Sequence, residues 1–450
     1  MKKIKDNLFS QLFNIKEHTP GHLQEHTLQD TMKDELKNEF SSGTEYTLQF
    51  LKWLVLSSFA GVVCGLLGTF FYSSIEGVTS FRLTHPYITL FLPVSGLIIV
   101  FIYKRLGVYN DKGTNLVLDS IHSHEQIPDV MAPLIYVGTV LTHLFGGSSG
   151  REGAALQMGG CIGVFLGKKL KMDEKDINVL TMCGMSAVFT AMFGTPITAT
   201  VFSMEVISVG IFQYSAFVPC IIASTISLGI SGFFGIGRET FIILRLPELS
   251  IVNSCRIIVL SIACGLIAIL FCKCIHSAHK IYARLFTNKY LRIFIGGTIV
   301  SAFTFIEGSQ YYSGAGFNIV RDAFNGHTGI ETFIVKLLLT ALTLGAGFKG
   351  GEIVPALCIG ASFGSTFAPL LGLEPAFGAG IGLVCLFCGV VNCPIAAILL
   401  AMELFGQHHL IPFAIASGVS YVFSGCFGLY DSQKILYSKL HAQYINTHSH

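Results

Sequence analysis

Long apolar runs alternate with short polar breaks from Leu48 to about Phe427. The runs lie near 48–73, 86–104, 130–145, 153–170, 178–192, 194–210, 213–234, 252–274, 291–306, 331–346, 353–372, 376–391, 393–405 and 410–428. A helix that crosses a bilayer needs about 20 residues. Several runs fall short of that, and glycine or proline separates neighbouring runs at Gly194-Thr195-Pro196 and Asn392-Cys393-Pro394. The pattern predicts an all-α polytopic membrane protein in which some helices are broken and re-entrant, ending inside the membrane where other protein groups satisfy their backbone.

The pattern also repeats. Gly150-Arg151-Glu152, then Pro196-Ile197-Thr198-Ala199, then Met204-Glu205 recur about two hundred residues later as Gly350-Gly351-Glu352, Pro394-Ile395-Ala396-Ala397 and Met402-Glu403. Gly160 and Gly360 keep the same offset from the acid, as Gly184 and Gly382 do from the proline. A duplicated unit whose polar residues interrupt apolar helices is the mark of a transporter built from inverted-topology repeats, with its site where the broken helices meet. Repeat one is expected over about 48–234 and repeat two over about 250–428. An exposed loop from Arg238 to Asn253 divides them, and a short final helix at 430–442 precedes a tail at 443–450. Residues 1–46 are polar and mixed in charge, with no apolar core after Lys2 and Lys3, and read as a cytoplasmic extension, not a signal peptide. Leu28 to Phe40 has amphipathic spacing. The transmembrane domain is therefore placed at 47–442.

Composition supports the membrane assignment. Hydrophobic residues make up 52% of the chain and charged residues 12%, about half the share of a soluble protein. The mean hydropathy is +0.63. A net charge of +2 without a basic run gives no sign of a nucleic-acid partner. Lys104, Arg105, Lys168, Lys169, Lys171, Arg284 and Lys289 mark cytoplasmic helix ends. The cysteines lie mostly in apolar helix sequence, and the single CxxC, Cys385 and Cys388, lacks a second pair or a nearby histidine. Neither a metal site nor a cofactor is expected.

The candidate chemistry sits at two helix starts. Gly146-Gly147-Ser148-Ser149-Gly150-Arg151-Glu152-Gly153 opens a helix whose first N–H groups, at Gly150, Arg151 and Gly153, form an anion site made of backbone. Glu152 is placed to compete with the anion there and to leave when protonated, which makes it a gate and a proton carrier. The alternative is a glutamate that only complements the helix dipole, but a buried acid in a membrane is expensive. Gly347-Phe348-Lys349-Gly350-Gly351-Glu352-Ile353-Val354-Pro355 is the matching start, with the Ile353 and Val354 N–H groups aimed at the same place. Glu352 is either part of that site or a cap paired with Lys349 or Lys336.

Gly150-Arg151-Glu152-Gly153, the Gly351-to-Pro355 turn and the late Leu436-Tyr437 together resemble the CLC family of anion channels and proton-coupled anion antiporters, over about 48–442. The resemblance implies that Glu152 is the external gating glutamate and that the Tyr437 hydroxyl holds the central anion. It also implies a homodimer with one anion path per subunit in a bacterial-type inner membrane; the apolar helices at 213–234 and 410–428 are candidates for the interface. Val206 stands where antiporters of the family carry an internal proton-transfer glutamate, with Glu205 beside it. Gly113-Thr114-Asn115-Leu116-Val117 replaces the usual Gly-Ser-Gly-Ile-Pro string, so Thr114 and Asn115 take over the anion-binding turn. With Glu352 and Val206, this pattern resembles the fluoride/proton antiporter branch. The expected function is transport of a small halide, fluoride before chloride, in exchange for protons. A passive chloride channel shares every site residue and stays open. A remoter reading takes Gly147-Ser148-Ser149-Gly150 as the GxSG of a rhomboid-type intramembrane protease, with His143 as the base.

Overall fold

The computed structural model describes residues 21–450 except 110, 124, 244, 407–409 and 442, and gives the backbone alone for 21–45. The extension expected at 1–46 thus lies outside the described residues over 1–20. The chain divides into two compact units, 1–55 and 56–450. The described part of the first is helix.

Sixteen α-helices are described. They are α1 (Gly21–Thr84), α2 (Leu92–Arg105), α3 (Asn115–Ser123), α4 (Met131–Leu144), α5 (Glu152–Lys169), α6 (Glu174–Phe193), α7 (Pro196–Glu205) and α8 (Phe217–Phe233), then α9 (Ile251–Leu285), α10 (Lys289–Glu307), α11 (Phe317–Phe324), α12 (Ile330–Ala346), α13 (Ile353–Phe367), α14 (Pro375–Val391), α15 (Pro394–Phe405) and α16 (Leu410–Phe423). Every apolar run named above contains a helix. Short α3 and α11 were not anticipated. Among the described residues, seven stretches are long and apolar enough to span a bilayer; α4, α14, α15 and α16 are apolar but shorter.

The breaks follow local chemistry. Gly194 ends α6 with φ 69° and Asn392 ends α14 with φ 57°, and a proline then begins α7 and α15. Glycine enters this left-handed conformation freely, and asparagine does so more readily than most residues. Proline suits the first helical turn because its missing N–H has no partner to lose there.

Glycines set how closely the helices pack. A Cβ on Gly159 would collide with Gly184 of α6, and Cβ atoms on Gly360 and Gly364 of α13 would collide with Gly382 and Gly378 of α14. These small residues bring backbones together where lipid supplies no hydrophobic force between helices. In repeat one the close contact falls at Gly159, one residue before Gly160, because Gly160 makes room for Val117 of α3.

Two expectations are corrected. The helix expected at 430–442 is absent from the described residues 430–441, and 443–450 is not a free tail. Strand β1 (Ser208–Val209) pairs in parallel with β2 (Lys434–Tyr437), which pairs antiparallel with β3 (Tyr444–His448). An isolated helix of this length is marginal, whereas the open backbone after α7 offers a ladder that Ile435 joins opposite Val209. The loop after α8 is mostly exposed, as expected, and two contacts tether it. Arg238 Nε donates to the Gly194 carbonyl (2.9 Å), and Phe241 stacks on Phe324 with ring centroids 4.8 Å apart.

Candidate functional site

The two helix starts meet. Gly150 N donates to Gly351 O and Gly351 N to Gly150 O, both at 2.7 Å, forming an isolated antiparallel bridge between the repeats. Only glycine allows this approach. A Cβ on Gly150 would stand 2.8 Å from Pro355 Cδ, and one on Gly153 would stand 2.9 Å from Gly351 Cα. The antiparallel pairing follows from the opposite orientation of the two repeats.

Glu152 begins α5 and is fully buried. Its Oε2 accepts from Arg151 N (3.0 Å) and its Oε1 from Arg151 Nε (3.3 Å). The carboxylate therefore sits on a helix-start N–H, where an anion would otherwise bind. Arg151, itself buried, holds this arrangement. Its Nη1 donates to Glu76 (2.7 Å), and its guanidinium lies 4.4 Å from the Tyr72 ring centroid and 4.9 Å from that of Phe317. Its side chain thus clamps Glu152, leaving only its backbone N–H for an anion.

Glu352 precedes α13, with Ile353 and Val354 in the first turn. A Cβ on Gly153 would lie 3.0 Å from Glu352 Oε2, so this second carboxylate sits against the first helix start. Unlike Glu152, Glu352 keeps some accessible surface. Neither lysine considered as its partner pairs with it. Lys349 Nζ binds Asp111 Oδ2 (2.9 Å) and lies 4.6 Å from the Tyr103 ring centroid. Asp111 also accepts from Gly113 N (2.9 Å) and Gln157 Nε2 (3.0 Å), a network that holds the turn before Thr114. Lys336 is buried and donates to Ser148 Oγ (3.0 Å), Tyr312 O (3.0 Å) and Gly314 O (2.7 Å).

Thr114 is buried and its hydroxyl donates to Gly153 O (3.3 Å), which places it at the site. Asn115 Oδ1 accepts from Ser432 N (3.0 Å) and so anchors the segment that follows Tyr430. Tyr437 is a correction. It lies on β2, 45% exposed, with its ring against Tyr444 and Gly210. The buried tyrosine near the Thr114 turn is Tyr430, 2% exposed, whose hydroxyl has no hydrogen-bond partner among the described residues and whose segment is tied to that turn through Asn115 and Ser432. The signal for it was position: Gly428-Leu429-Tyr430 lies between the end of α16 at Phe423 and the start of β2 at Lys434.

Val206 is buried, and its carbonyl accepts from Gln433 Nε2 (2.9 Å). The adjacent Glu205 caps a helix of the other repeat: its oxygens accept from Ile395 N (3.1 Å) and Ala396 N (2.8 Å). The serine–histidine pair is not assembled. Ser149, the serine of that string, has no hydrogen-bond partner for its Oγ among the described residues, and His143 Nε2 faces the Gly150 carbonyl at 3.3 Å.

The voltage gated chloride channel family model matches residues 95–425. The chain belongs to this family, the CLC proteins. Among its CLC relatives, a chloride/fluoride channel protein of Pseudomonas syringae pv. tomato is 35% identical over 87% of this chain and 88% of its own length. An H(+)/Cl(-) exchange transporter of Vibrio cholerae is 26% identical over 83% of this chain and 86% of its own. The crystal structure of a CLC-type fluoride/proton antiporter superposes with a TM-score of 0.82 at 33% identity, covering 86% of this chain and 98% of the other. The fold is thus the CLC fold, that of a multi-pass membrane protein with two inverted repeats.

Proposed function

We propose that this CLC protein exchanges a small halide, fluoride in preference to chloride, for protons across a bacterial inner membrane. The observation that carries the reading is the Gly150–Gly351 bridge, which sets Glu152 and Glu352 at one junction of two helix starts. The Glu152 carboxylate occupies the N–H group that an anion needs. Protonation removes its charge and its claim on that group, and a halide takes the place. The halide is then held by the first-turn N–H groups of α5 and α13 and by the hydroxyls of Tyr430 and Thr114. When Glu152 returns, it releases its proton toward the opposite side. No second carboxylate stands at Val206, so Glu352 is the acid available along the path. A protonated Glu352 donates a hydrogen bond, and fluoride, the smaller and more basic halide, accepts it better than chloride does. The names of the relatives include both halides, and the solved structure at 33% identity is that of a fluoride/proton antiporter.

The reading includes a homodimer in the lipid bilayer. Ile197, Ile395, Phe217, Val218, Leu410 and Ile411 on α7, α8, α15 and α16 are all more than 40% exposed and give an apolar surface for a second subunit to cover. Light scattering of the purified protein tests this: the mass of a single subunit overturns it.

Transport is tested in proteoliposomes with fluoride and chloride electrodes and pH recorded together. A fluoride gradient that drives protons uphill is the expected result. Halide flow that leaves pH unchanged, with a reversal potential insensitive to a pH gradient, overturns antiport and selects a passive channel.

A further inference from the structure

One guanidinium serves two carboxylates beside the gate. Arg151 Nη1 donates to Glu76 Oε1 at 2.7 Å, and Arg151 Nε donates to Glu152 Oε1 at 3.3 Å. A charge-assisted bond between nitrogen and oxygen is normally about 2.7–2.9 Å long. The Glu76 contact is therefore fully formed, and the Glu152 contact is stretched. Arg151 and Glu152 are buried, whereas the Glu76 side chain is 53% exposed. Glu76 lies on α1 and Glu152 begins α5, so the arginine joins the gate to a different helix.

A cation taken out of water needs a counter-charge. The rings of Tyr72 and Phe317 flank the guanidinium but supply no full charge. Among the described residues, Glu76 and Glu152 alone form ion pairs with Arg151. Glu152 cannot serve throughout a cycle in which it is protonated and gives way to a halide. Glu76 can, because it stands apart from the helix-start N–H groups. While Glu76 is paired, Arg151 stays neutralised when Glu152 leaves, and Arg151 holds Glu152 less tightly when it returns. The other titratable groups here are few. Tyr72 of α1 and His143 of α4 face Arg151, and Glu239 in the loop after α8 faces Tyr72. Cys358 of α13 faces Glu152, and Glu352 lies against the Gly153 helix start.

We propose that Glu76 is a positioning residue for the gate: as the lasting counter-charge of Arg151, it weakens the hold of Arg151 on Glu152 and sets how readily Glu152 takes up its proton. Without Glu76, the gate carboxylate is the one counter-charge left to Arg151. Its ionised, closed form then gains attraction and loses a like-charged neighbour, and both effects oppose protonation. The inference rests on Glu152 as gate and proton carrier.

The test is fluoride flux from proteoliposomes of the full chain, measured against pH with both sides equal and the flux of protein-free vesicles subtracted. Glu76→Gln is expected to move the pH of half-maximal flux to the acid side by about one unit, a tenfold rise in the proton concentration needed. Glu76→Asp keeps the charge on a shorter side chain, and its midpoint is expected between those of the parent and Glu76→Gln. If Glu76→Gln does not reconstitute, the Glu76→Asp midpoint decides by itself. Glu152→Gln has no gate carboxylate to titrate and is expected to show no midpoint, with or without Glu76→Gln. An unmoved or alkaline-shifted midpoint overturns the role of Glu76 and leaves the gate standing; a lower maximal flux at an unmoved midpoint would make Glu76 merely structural. A midpoint that appears when Glu76→Gln is added to Glu152→Gln also overturns it, because the pH response then arises elsewhere. A parent-like midpoint in Glu152→Gln alone overturns the gate reading, and this proposal with it.

Discussion

Glu205 and Glu403 cap each other's repeats. Glu205, the last residue of α7, accepts from Ile395 N and Ala396 N (3.1 and 2.8 Å) at the start of α15. Glu403, near the end of α15, accepts from Ile197 N and Thr198 N (3.2 and 2.8 Å) at the start of α7. Each carboxylate satisfies two orphan N–H groups and complements the positive end of a helix dipole. The two halves of the protein are thus tied by two reciprocal buried carboxylate caps, each accepting two hydrogen bonds. This explains why Met-Glu closes both repeats.

Neutralising either cap therefore destabilises the fold. Glu205→Gln and Glu403→Gln each lose one of two accepted N–H bonds and the charge, a cost of roughly 1–3 kcal/mol. Thermal unfolding in detergent is expected to begin at lower temperature in both. Midpoints equal to the parent's would show that these contacts carry no stability.

Glu152→Gln removes the charge that competes with the anion and the proton that leaves with it. Proton movement driven by a fluoride gradient is expected to fall to background, while fluoride flow continues passively or slows. Sustained uphill proton transport by this variant would exclude Glu152 as the gate.

Tyr430 and Tyr437 are separated by a pair of single substitutions. A hydrogen bond to a charged group is worth roughly 1.5–3 kcal/mol, so Tyr430→Phe is expected to weaken halide binding by about tenfold or more. Tyr437→Phe on the exposed strand is expected to leave affinity unchanged. Calorimetric titration with fluoride decides, and the reverse ranking would restore Tyr437 to the site.

Glu352→Ala addresses selectivity. If a protonated Glu352 donates to the anion, fluoride flux is expected to fall by a larger factor than chloride flux. Equal losses would make Glu352 a structural residue of the helix start. Lys349→Met serves as the contrast: it breaks the pair with Asp111 and is expected to lower stability without changing the fluoride-to-chloride ratio.

Hydropathy, glycine–proline punctuation and the duplicated motif were enough to reach the membrane class, the helices, the inverted repeats and the two helix starts at Glu152 and Glu352. These features are local. A helix start exposes its N–H groups whatever surrounds it, and an apolar run of bilayer length has few other places to go. The tertiary structure decided which polar groups meet. The resemblance implied Tyr437 as the central hydroxyl, but β2 carries it to the surface and Tyr430 is left inside. Lys349 is three residues from Glu352, yet it turns to Asp111, more than two hundred residues earlier in the chain. Within the segment expected to be helical, Lys434–Tyr437 becomes strand because the backbone at Ser208–Val209 pairs with it. Each of these outcomes depends on contacts between distant segments, whose distances and directions are set by packing and are not encoded in spacing along the chain.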